Sequence, residues 1–304
     1  MKTKLTEMLG IEHPIIQGAL ASVSDATLAA AVSNAGGAGI IGSGGHDAKW
    51  VREQINKARR LTNKPFGVNV VLAAEDKDEI IEVILEEKPK FVTFGAGNPV
   101  PYIDVIKKAG IIAMPVVANL KQAKKVEAAG GDAVVVEGME AGGHIGRQTT
   151  MSLMTNVIDA VNIPVVVAGG IVDSRGIKAA MKMGASAVQM GSRFLMSNEC
   201  PAHINVKRKI AQATDTDSVV VGHTIGHDVR GLRNTYTDEY LAVEYSDEPR
   251  EALKGKMKGR YEKAVIDGDV ENGLVEVGQS LNKLNEILSC EEIIQSLVLD
   301  LKDE

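Results

Sequence analysis

The sequence has few aromatic residues, no long apolar run and no block of one charge. Aromatic side chains make up 3% of the 304 residues and the net charge is −6, so neither a stacking platform nor a basic stripe for nucleic acid is present. No apolar run reaches the roughly 18 residues that a membrane span requires. These absences favour small-molecule chemistry over binding to nucleic acid or membrane.

Signals for secretion and for metal binding are also missing. The N-terminus has no apolar stretch that ends in a small-residue cleavage site, which predicts a cytoplasmic protein. Cys200 and Cys290 have no metal-ligand spacing and are predicted to be free thiols. His223 and His227 are four positions apart, but neighbouring glycines weaken a helix there and no third ligand is evident. A metal site is therefore not predicted.

Short apolar runs alternate with helical patterns over the first two thirds of the chain. The runs begin near Pro14, Gly39, Phe66, Phe91, Ile112, Ala133, Val165 and Ala187. The helical patterns between them cover Asp25–Asn34, Asp47–Arg60, Asp76–Glu87, Val100–Lys108, Leu120–Ala129, Thr150–Val161 and Ser174–Met183. Strands that alternate with helices, without hairpin signals, indicate parallel βαβ units.

Eight such units predict an α/β protein with a (β/α)8 TIM barrel. A doubly wound sheet usually has fewer strands and a GxGxxG turn after the first, whereas the first loop here is Gln17-Gly18-Ala19-Leu20. Helix boundaries agree with the barrel, since Asp25 and Ser174 can act as N-caps.

The pattern changes after the eighth strand. Residues 1–197 are predicted to form the barrel, and residues 198–260 a polar, helix-rich segment that covers its mouth. Residues 261–304 are predicted to be C-terminal helices, from Glu262 to Leu301, that complete the barrel.

Glycine-rich loops follow several predicted strands, and in barrels such loops carry the chemistry. The sixth strand leads into Glu137 to Gly146, where four glycines surround His144, a side chain that titrates near neutral pH. Glycines 169, 170 and 191 follow the seventh and eighth strands, and backbone N–H groups in such turns can hold a phosphate. The same glycines also suit simple tight turns.

Together these motifs resemble the superfamily of FMN-dependent nitronate monooxygenases and FabK-type enoyl-acyl-carrier-protein reductases. They are Glu-Gly-Met-Glu-Ala-Gly-Gly-His-Ile-Gly at 137–146, Pro-Phe-Gly-Val-Asn at 65–69, Ala-Gly-Gly-Ile at 168–171 and Gln-Met-Gly-Ser-Arg-Phe at 189–194. Three features lean towards the reductase branch. They are Glu137, where the monooxygenases usually carry glutamine, the loop Gly-Ala-Gly-Asn-Pro at 95–99, and Arg-Gly-Leu-Arg-Asn at 230–234.

The resemblance implies a reaction and its cofactors. NADH or NADPH would reduce FMN, and the flavin would then reduce a trans-2-enoyl thioester carried by acyl carrier protein, in a ping-pong cycle of fatty acid synthesis. A homodimer and a response to a monovalent cation are further implications. Two alternatives remain, a nitronate monooxygenase that reoxidises its flavin with oxygen, and a non-enzymatic FMN-binding scaffold.

The resemblance also implies roles for particular residues. His144 would be the catalytic histidine. Gly18 and Ala19 would lie under the flavin ring, Asn69 would bond its polar edge, and Gly142 and Gly143 would complete the pocket. The phosphate would be bound by Gly169, Gly170, Gly191 and Ser192, with Gln189 and Arg193 as further candidates. Glu137 would orient the ribityl chain or a neighbouring loop, or serve as a structural carboxylate.

Acyl carrier protein is acidic, so an acidic enzyme that binds it needs a local basic patch near the barrel mouth. The candidates in the covering segment are Lys207, Arg208, Lys209, Arg230 and Arg233. The remaining conspicuous side chains are given ordinary interpretations. His13, His46 and His203 are predicted to lie in loops or at the surface, Trp50 to pack, and Met181, Met183 and Met190 to belong to the core or line the site.

Overall fold

The computed structural model describes residues 1–253, 255–299 and 301, and it has parallel strands where the apolar runs predict them. The strands are β1 (Ile15–Gln17), β2 (Gly39–Gly42), β3 (Phe66–Val71), β4 (Phe91–Gly95), β5 (Ile112–Ala113), β6 (Val116–Val117), β7 (Val134–Glu137), β8 (Gly143–His144), β9 (Val165–Ala168), β10 (Ala187–Met190), β11 (Ser218–Val221) and β12 (Val229–Leu232).

Helices separate most of these strands. They are α1 (Lys4–Leu9), α2 (Ala26–Asn34), α3 (Ala48–Leu61), α4 (Lys77–Glu87), α5 (Val100–Lys108), α6 (Leu120–Ala128), α7 (Thr150–Ile158), α8 (Ser174–Lys182), α9 (Ser192–Leu195), α10 (Ile204–Gln212), α11 (Thr235–Glu244), α12 (Arg260–Val265) and α13 (Cys290–Leu299). Short 3-10 turns lie at His223–Ile225, Arg250–Leu253 and Leu281–Lys283.

The parallel strands form a barrel ring with eight strand positions. Strands β2, β3, β4 and β5 are neighbours in that order, as are β6, β7, β9, β10 and β1. A parallel bridge from Ile16 to Ala38 joins β1 to the chain just before β2. Strands β5 and β6 share the fifth position, because Met114 between them donates to Val92 and Pro115 accepts from Val135. The predicted (β/α)8 TIM barrel is confirmed.

Apolar side chains fill the inside of the barrel. Ile16, Ile40, Phe91, Val135 and Val166 belong to one buried cluster contributed by strands around the ring. The cluster also includes two leucines of α1, an N-terminal helix that the apolar pattern did not predict. The barrel is therefore a packed core, and a ligand can be held only at its ends.

The helices lie outside the ring, and their ends follow capping chemistry. Asp25 caps α2 as predicted, but the predicted cap Ser174 is wrong, because Asp173 accepts the N-terminal N–H groups of α8. The helix predicted for Thr150–Val161 ends earlier, at Ile158. Gly110 follows α5 at a φ of 80°, the left-handed conformation that glycine adopts at helix ends.

The segment after the barrel contains helices, as predicted, but also a hairpin that the sequence did not predict. Its helices α10 and α11 flank an antiparallel hairpin of β11 and β12, and β12 also pairs with β8 from the barrel. The segment that follows is not a continuous helical tail, since α12 and α13 are separated by irregular chain. Helix α13 packs against α2 and α8, the position of an eighth barrel helix.

The division into segments 1–197, 198–260 and 261–304 stays a prediction. Residue 254 of the second segment and residues 300 and 302–304 of the third lie outside the described residues. Among the helices that are described, none has both the length and the apolar character to cross a membrane. Cys200 and Cys290 are buried free thiols, as predicted.

Close backbone contact between β2 and α2 gives a stability test of the barrel. A Cβ atom at Gly39 would lie 1.9 Å from the carbonyl oxygen of Ala29, whereas one at Gly95 would meet no atom within 4 Å. We expect Gly39→Ala to lower the free energy of unfolding by about 1–3 kcal/mol, because the helix must move away from the strand. The matched control Gly95→Ala should change it by less than about 0.5 kcal/mol. Urea unfolding measures both, and equal effects would contradict the packing argument.

Candidate functional site

A cavity opens at the carboxyl ends of the barrel strands, where the glycine-rich loops meet. It brings together nine of the predicted site residues, namely Gly18, Ala19, Glu137, Gly142, Gly169, Gly170, Gln189, Gly191 and Ser192. The sequence prediction missed another group of lining residues, namely Glu140, Tyr261, Glu276, Gly278, Gln279 and Ser280. Most of these belong to the irregular chain between α12 and α13, which the prediction treated as helix.

The loops after β9 and β10 present backbone donors to this cavity. Gly169 and Gly170 both have positive φ, at 99° and 74°, and a Cβ atom at Gly169 would lie 2.8 Å from the carbonyl oxygen of Gly138. The N–H groups of Gly169, Gly170 and Gly191 donate to no protein acceptor among the described residues. Such a set of free N–H groups suits an anion. Helix α9 begins at Ser192 but has four residues, so its dipole adds little.

The first loop is held by a buried glutamine. The Gln17 side chain is fully buried, and its Nε2 donates to the carbonyl oxygen of Gly18 at 2.5 Å and to Ser24 Oγ at 2.9 Å. Its Oε1 accepts the backbone N–H of Ile40 at 2.8 Å. The side chain thus connects the ends of two strands and fixes the backbone of Gly18. Gly18 in turn lies against Gly191, whose Cα would be 3.3 Å from an added Cβ.

A carboxylate and a guanidinium hold the loop after β7. Glu140 accepts the backbone N–H and the hydroxyl of Thr150, at the start of α7, at 2.8–3.0 Å. Arg230 on β12 is 4% exposed, and its Nε donates to the carbonyl oxygen of Met139 at 2.9 Å. The loop is thereby fastened to the barrel on one side and to the covering hairpin on the other.

The glycines of this loop permit close contact between backbones. A Cβ atom at Gly138 would lie 2.1 Å from Thr150 Oγ1, and one at Gly142 would lie 2.6 Å from the backbone carbon of Val277. Gly143 has a φ of 76° and pairs with Arg230 in the small sheet. These glycines are required by packing as well as by any ligand.

Two glutamates face the cavity without a hydrogen-bond partner among the described residues. Burial raises the pKa of Glu137 to about 7. For Glu276, burial and then the negative charge of Glu262 raise the pKa to about 8. Both carboxyl groups are therefore neutral in mildly acidic solution, and each then has an O–H to donate into the cavity.

His144 lies beyond the cavity and contacts a second histidine. Its ring is exposed on β8, and its Nε2 lies 2.9 Å from Nε2 of His227, with the two rings at 84° to each other. Partial withdrawal from water lowers the pKa of His144, and the neighbouring charge of His227 lowers it further. The sequence prediction treated His227 only as an improbable metal ligand. The antiparallel pairing of β8 with β12, which brings the two rings together, has no signal in the sequence.

The structure does not bring every predicted residue to the cavity. Asn69, Gly143 and His144 are not among its lining residues, and the side-chain amide of Asn69 donates to Thr93 Oγ1 at 2.9 Å. The phosphate role considered for Arg193 is wrong, because its guanidinium is buried and donates to the carbonyl oxygens of Lys283 and Glu286.

The predicted basic patch is wrong in two of its five positions. Lys207 is buried, and its ammonium donates to the carbonyl oxygens of Ser197 and Cys200 at 2.5 and 2.7 Å. Arg230 is also buried. These cations stabilise the fold from inside and are not available to a partner.

The remaining histidines have local partners. His223 Nδ1 lies 2.6 Å from an oxygen of Asp228, and His203 accepts an N–H at the start of α10. The rings of His46 and Trp50 stack with their centroids 3.5 Å apart, which agrees with a packing role for Trp50. Within residues 1–253, 255–299 and 301, no cluster of three or more His, Cys, Asp or Glu side chains is suited to a metal.

The two raised pKa values predict how stability depends on pH. Glu137 and Glu276 hold their protons in the folded chain to about pH 7 and 8, against an ordinary value of 4.5. Their contribution to stability is therefore present below pH 4.5 and lost as the pH rises through 7 to 8. We expect the urea midpoint to fall less between about pH 5 and about pH 8.5 in the double variant Glu137→Gln and Glu276→Gln than in the parent. The control is the double variant Glu79→Gln and Glu82→Gln, which removes two exposed charges from α4. Its urea midpoint should fall with pH as much as that of the parent.

Comparison with known proteins shows the family of this chain. The family model described as nitronate monooxygenase matches residues 2–83 and 76–300. The structure of FabK from Thermotoga maritima superposes with a TM-score of 0.96 at 44% identity, covering 100% of this chain and 97% of that chain.

Two curated relatives differ in their named activities. A (3aS,4S,5R,7aS)-5-hydroxy-7a-methyl-1-oxo-octahydro-1H-indene-4-carboxyl-CoA dehydrogenase from Mycobacterium tuberculosis is 32% identical, over 99% of this chain and 96% of the relative. A probable nitronate monooxygenase from Staphylococcus aureus is also 32% identical, over 92% of each. The chain therefore belongs to the nitronate monooxygenase family and is an FMN-dependent oxidoreductase.

Proposed function

We propose that this protein reduces trans-2-enoyl thioesters of acyl carrier protein with NADH or NADPH, through FMN. The observation that carries the proposal is the 44% identity to FabK from Thermotoga maritima over the whole chain, from the barrel through the covering hairpin. Glu137 and the segments at 95–99 and 230–234, which resemble the reductase branch, support it.

The residues of the cavity fit FMN. The free N–H groups of Gly169, Gly170 and Gly191 would hold its phosphate, with Ser192 and Gln189 beside them. Gly18 and Ala19, fixed by Gln17, would lie against the flavin ring, since glycine at 18 allows backbone to approach a flat ligand. A neutral Glu137 or Glu276 would donate a hydrogen bond to a polar atom of the cofactor.

When bound, FMN supplies hydride transfer between the nicotinamide and the β-carbon of the enoyl group. The protein must then stabilise negative charge on the thioester oxygen and deliver a proton to the α-carbon. His144 is the residue that we assign to this task, as the counterpart of the family's catalytic histidine. Its lowered pKa leaves the ring neutral near pH 7, so it acts as a hydrogen-bond donor with a transferable proton.

The name of one relative agrees with an acyl thioester as the substrate. The Mycobacterium tuberculosis relative is named for a coenzyme A thioester, so thioester substrates occur close to this chain in sequence. For docking of acyl carrier protein, Arg208 is exposed, while Lys209 pairs with Glu271 and Arg233 with Asp238. Exposed pairs of this kind are weak and can exchange partners with an acidic surface.

The alternative is a nitronate monooxygenase, favoured by the matching family model and by the Staphylococcus aureus relative. It would use the same FMN site, and His144 would assist oxidation of an alkyl nitronate. The cycle would then end with oxygen and would consume no NADH.

Anaerobic stopped-flow absorbance separates the two activities. The FMN-loaded protein is mixed first with NADH and then with a trans-2-enoyl thioester. We expect NADH to bleach the flavin and the thioester to restore its colour. If NADH leaves the flavin oxidised, while a nitronate bleaches it and oxygen restores it, the monooxygenase takes the place of the reductase.

Replacement of His144 tests its role as the proton donor. We expect His144→Ala to keep bound FMN and bleaching by NADH, but to slow recovery with the enoyl thioester by about 10²–10⁴-fold, because the proton donor is lost. The control His203→Ala removes the histidine that precedes α10. It should leave the rate of recovery unchanged. Unaltered recovery in His144→Ala would remove the residue from the mechanism.

Other properties stay predictions. The resemblance implies a homodimer and a monovalent cation, and the cytoplasmic location also stays a prediction.

A further inference from the structure

Two histidines from different parts of the chain share one hydrogen bond at the edge of the site. His144 lies on β8, two residues after Gly142 of the cavity wall. His227 lies in the turn before β12, whose Val229 is the register partner of His144. The two Nε2 atoms are 2.9 Å apart. Since β8 and β12 are paired, the backbone holds the rings in this arrangement.

The distance restricts the protonation states of the two rings. A hydrogen bond between two nitrogens contains one proton, so one ring donates through Nε2 while the other accepts through Nε2. When His227 donates, the neutral His144 carries its own proton on Nδ1. That nitrogen is the one left for another partner, because Nε2 is engaged. Both rings are exposed, so His227 can exchange protons with solvent.

From this geometry we propose that His227 is a positioning and proton-relay residue for His144, which rests on the enoyl reductase function proposed above. His227 fixes the tautomer of His144 that has its proton on Nδ1. It then replaces that proton from solvent when His144 donates.

The relay balances for one reduced double bond. Hydride that originates from NADH or NADPH would reach the β-carbon of the enoyl thioester through the cofactor, which turns the thioester into an enolate. The electron pair of the enolate then forms a C–H bond at the α-carbon with the proton of His144 Nδ1. His144 Nε2 takes the proton of His227 Nε2, and Nδ1 of His227 takes one proton from water. One solvent proton thus enters the product. Exchange of both exposed rings with solvent between turnovers restores the starting tautomers.

Three other charged groups of the neighbouring segments have partners of their own or lie beside Gly143. Asp228, next to His227, pairs with His223. The guanidinium of Arg230 donates to Met139 and to Ser218 Oγ. The carboxyl group of Glu276 lies beside Gly143. His227 is thus the titratable group in direct contact with His144, and when it is protonated its charge disfavours protonation of that ring.

The test compares two exposed histidines of the same turn in the FMN-loaded protein. His227→Gly removes the relay, while the control His223→Ala removes a ring that pairs with Asp228 and does not contact His144. Stopped-flow bleaching by NADH needs no proton from the pair and should be unchanged in both variants. Reoxidation by the enoyl thioester should slow by at least about tenfold in His227→Gly alone. Added imidazole should restore much of that rate.

The pH profile and a conservative variant complete the test. His227→Gln keeps a hydrogen-bond donor near the position of Nε2 but cannot pass a proton on, so it should remain slow. Glutamine cannot be charged, whereas a protonated His227 disfavours protonation of His144, so the pKa of His144 in the reoxidation profile should shift upward. A normal rate in His227→Gly, or a slow rate that imidazole does not change, would overturn the relay. Absence of bleaching by NADH in the parent protein would instead count against the proposed function.

Discussion

Close approach of backbone to backbone at the carboxyl end of the barrel is the constraint on which the site depends. Gly18 lies on Gly191, Gly138 on Thr150, Gly142 on Val277 and Gly278 on Glu140, and side chains at these glycines would separate the loops. A side chain of any size occupies the space that the opposite loop uses. The cavity is therefore bounded largely by main chain, and its donors are N–H groups held in fixed positions.

Buried polar side chains fix what the glycines bring together. Gln17 connects the first two strands, Glu140 connects the loop after β7 to α7, and Arg230 connects that loop to the covering hairpin. Each makes hydrogen bonds to backbone groups that a moving loop would otherwise expose to water. Because buried polar groups left without a partner are costly, these contacts favour one arrangement of the loops over others. The covering hairpin and the barrel therefore form one site.

Local patterns predicted the barrel well because its strands and helices repeat a simple rule. Runs such as Val165–Ala168 are buried on both faces and lie between helices, and helices α2, α3 and α8 each begin after a capping aspartate. The sequence prediction fails where buried strands and helices do not alternate in this way. Helix α1 covers the other end of the barrel. The hairpin of β11 and β12 has a long turn, residues 222–228, without the Asn-Gly or Asp-Gly pair that marks a tight hairpin.

The sequence by itself determined the barrel, its glycine-rich loops and the family resemblance, because each is written in residues adjacent along the chain. Tertiary structure decided which residues meet. It placed Glu276 and Ser280 in the cavity, turned Lys207 and Arg230 inward and brought His227 to His144. Those contacts join positions 83 to 110 residues apart or depend on burial, and neither follows from local periodicity. The chemistry of the loops was thus predictable, and the partners of its charged residues were not.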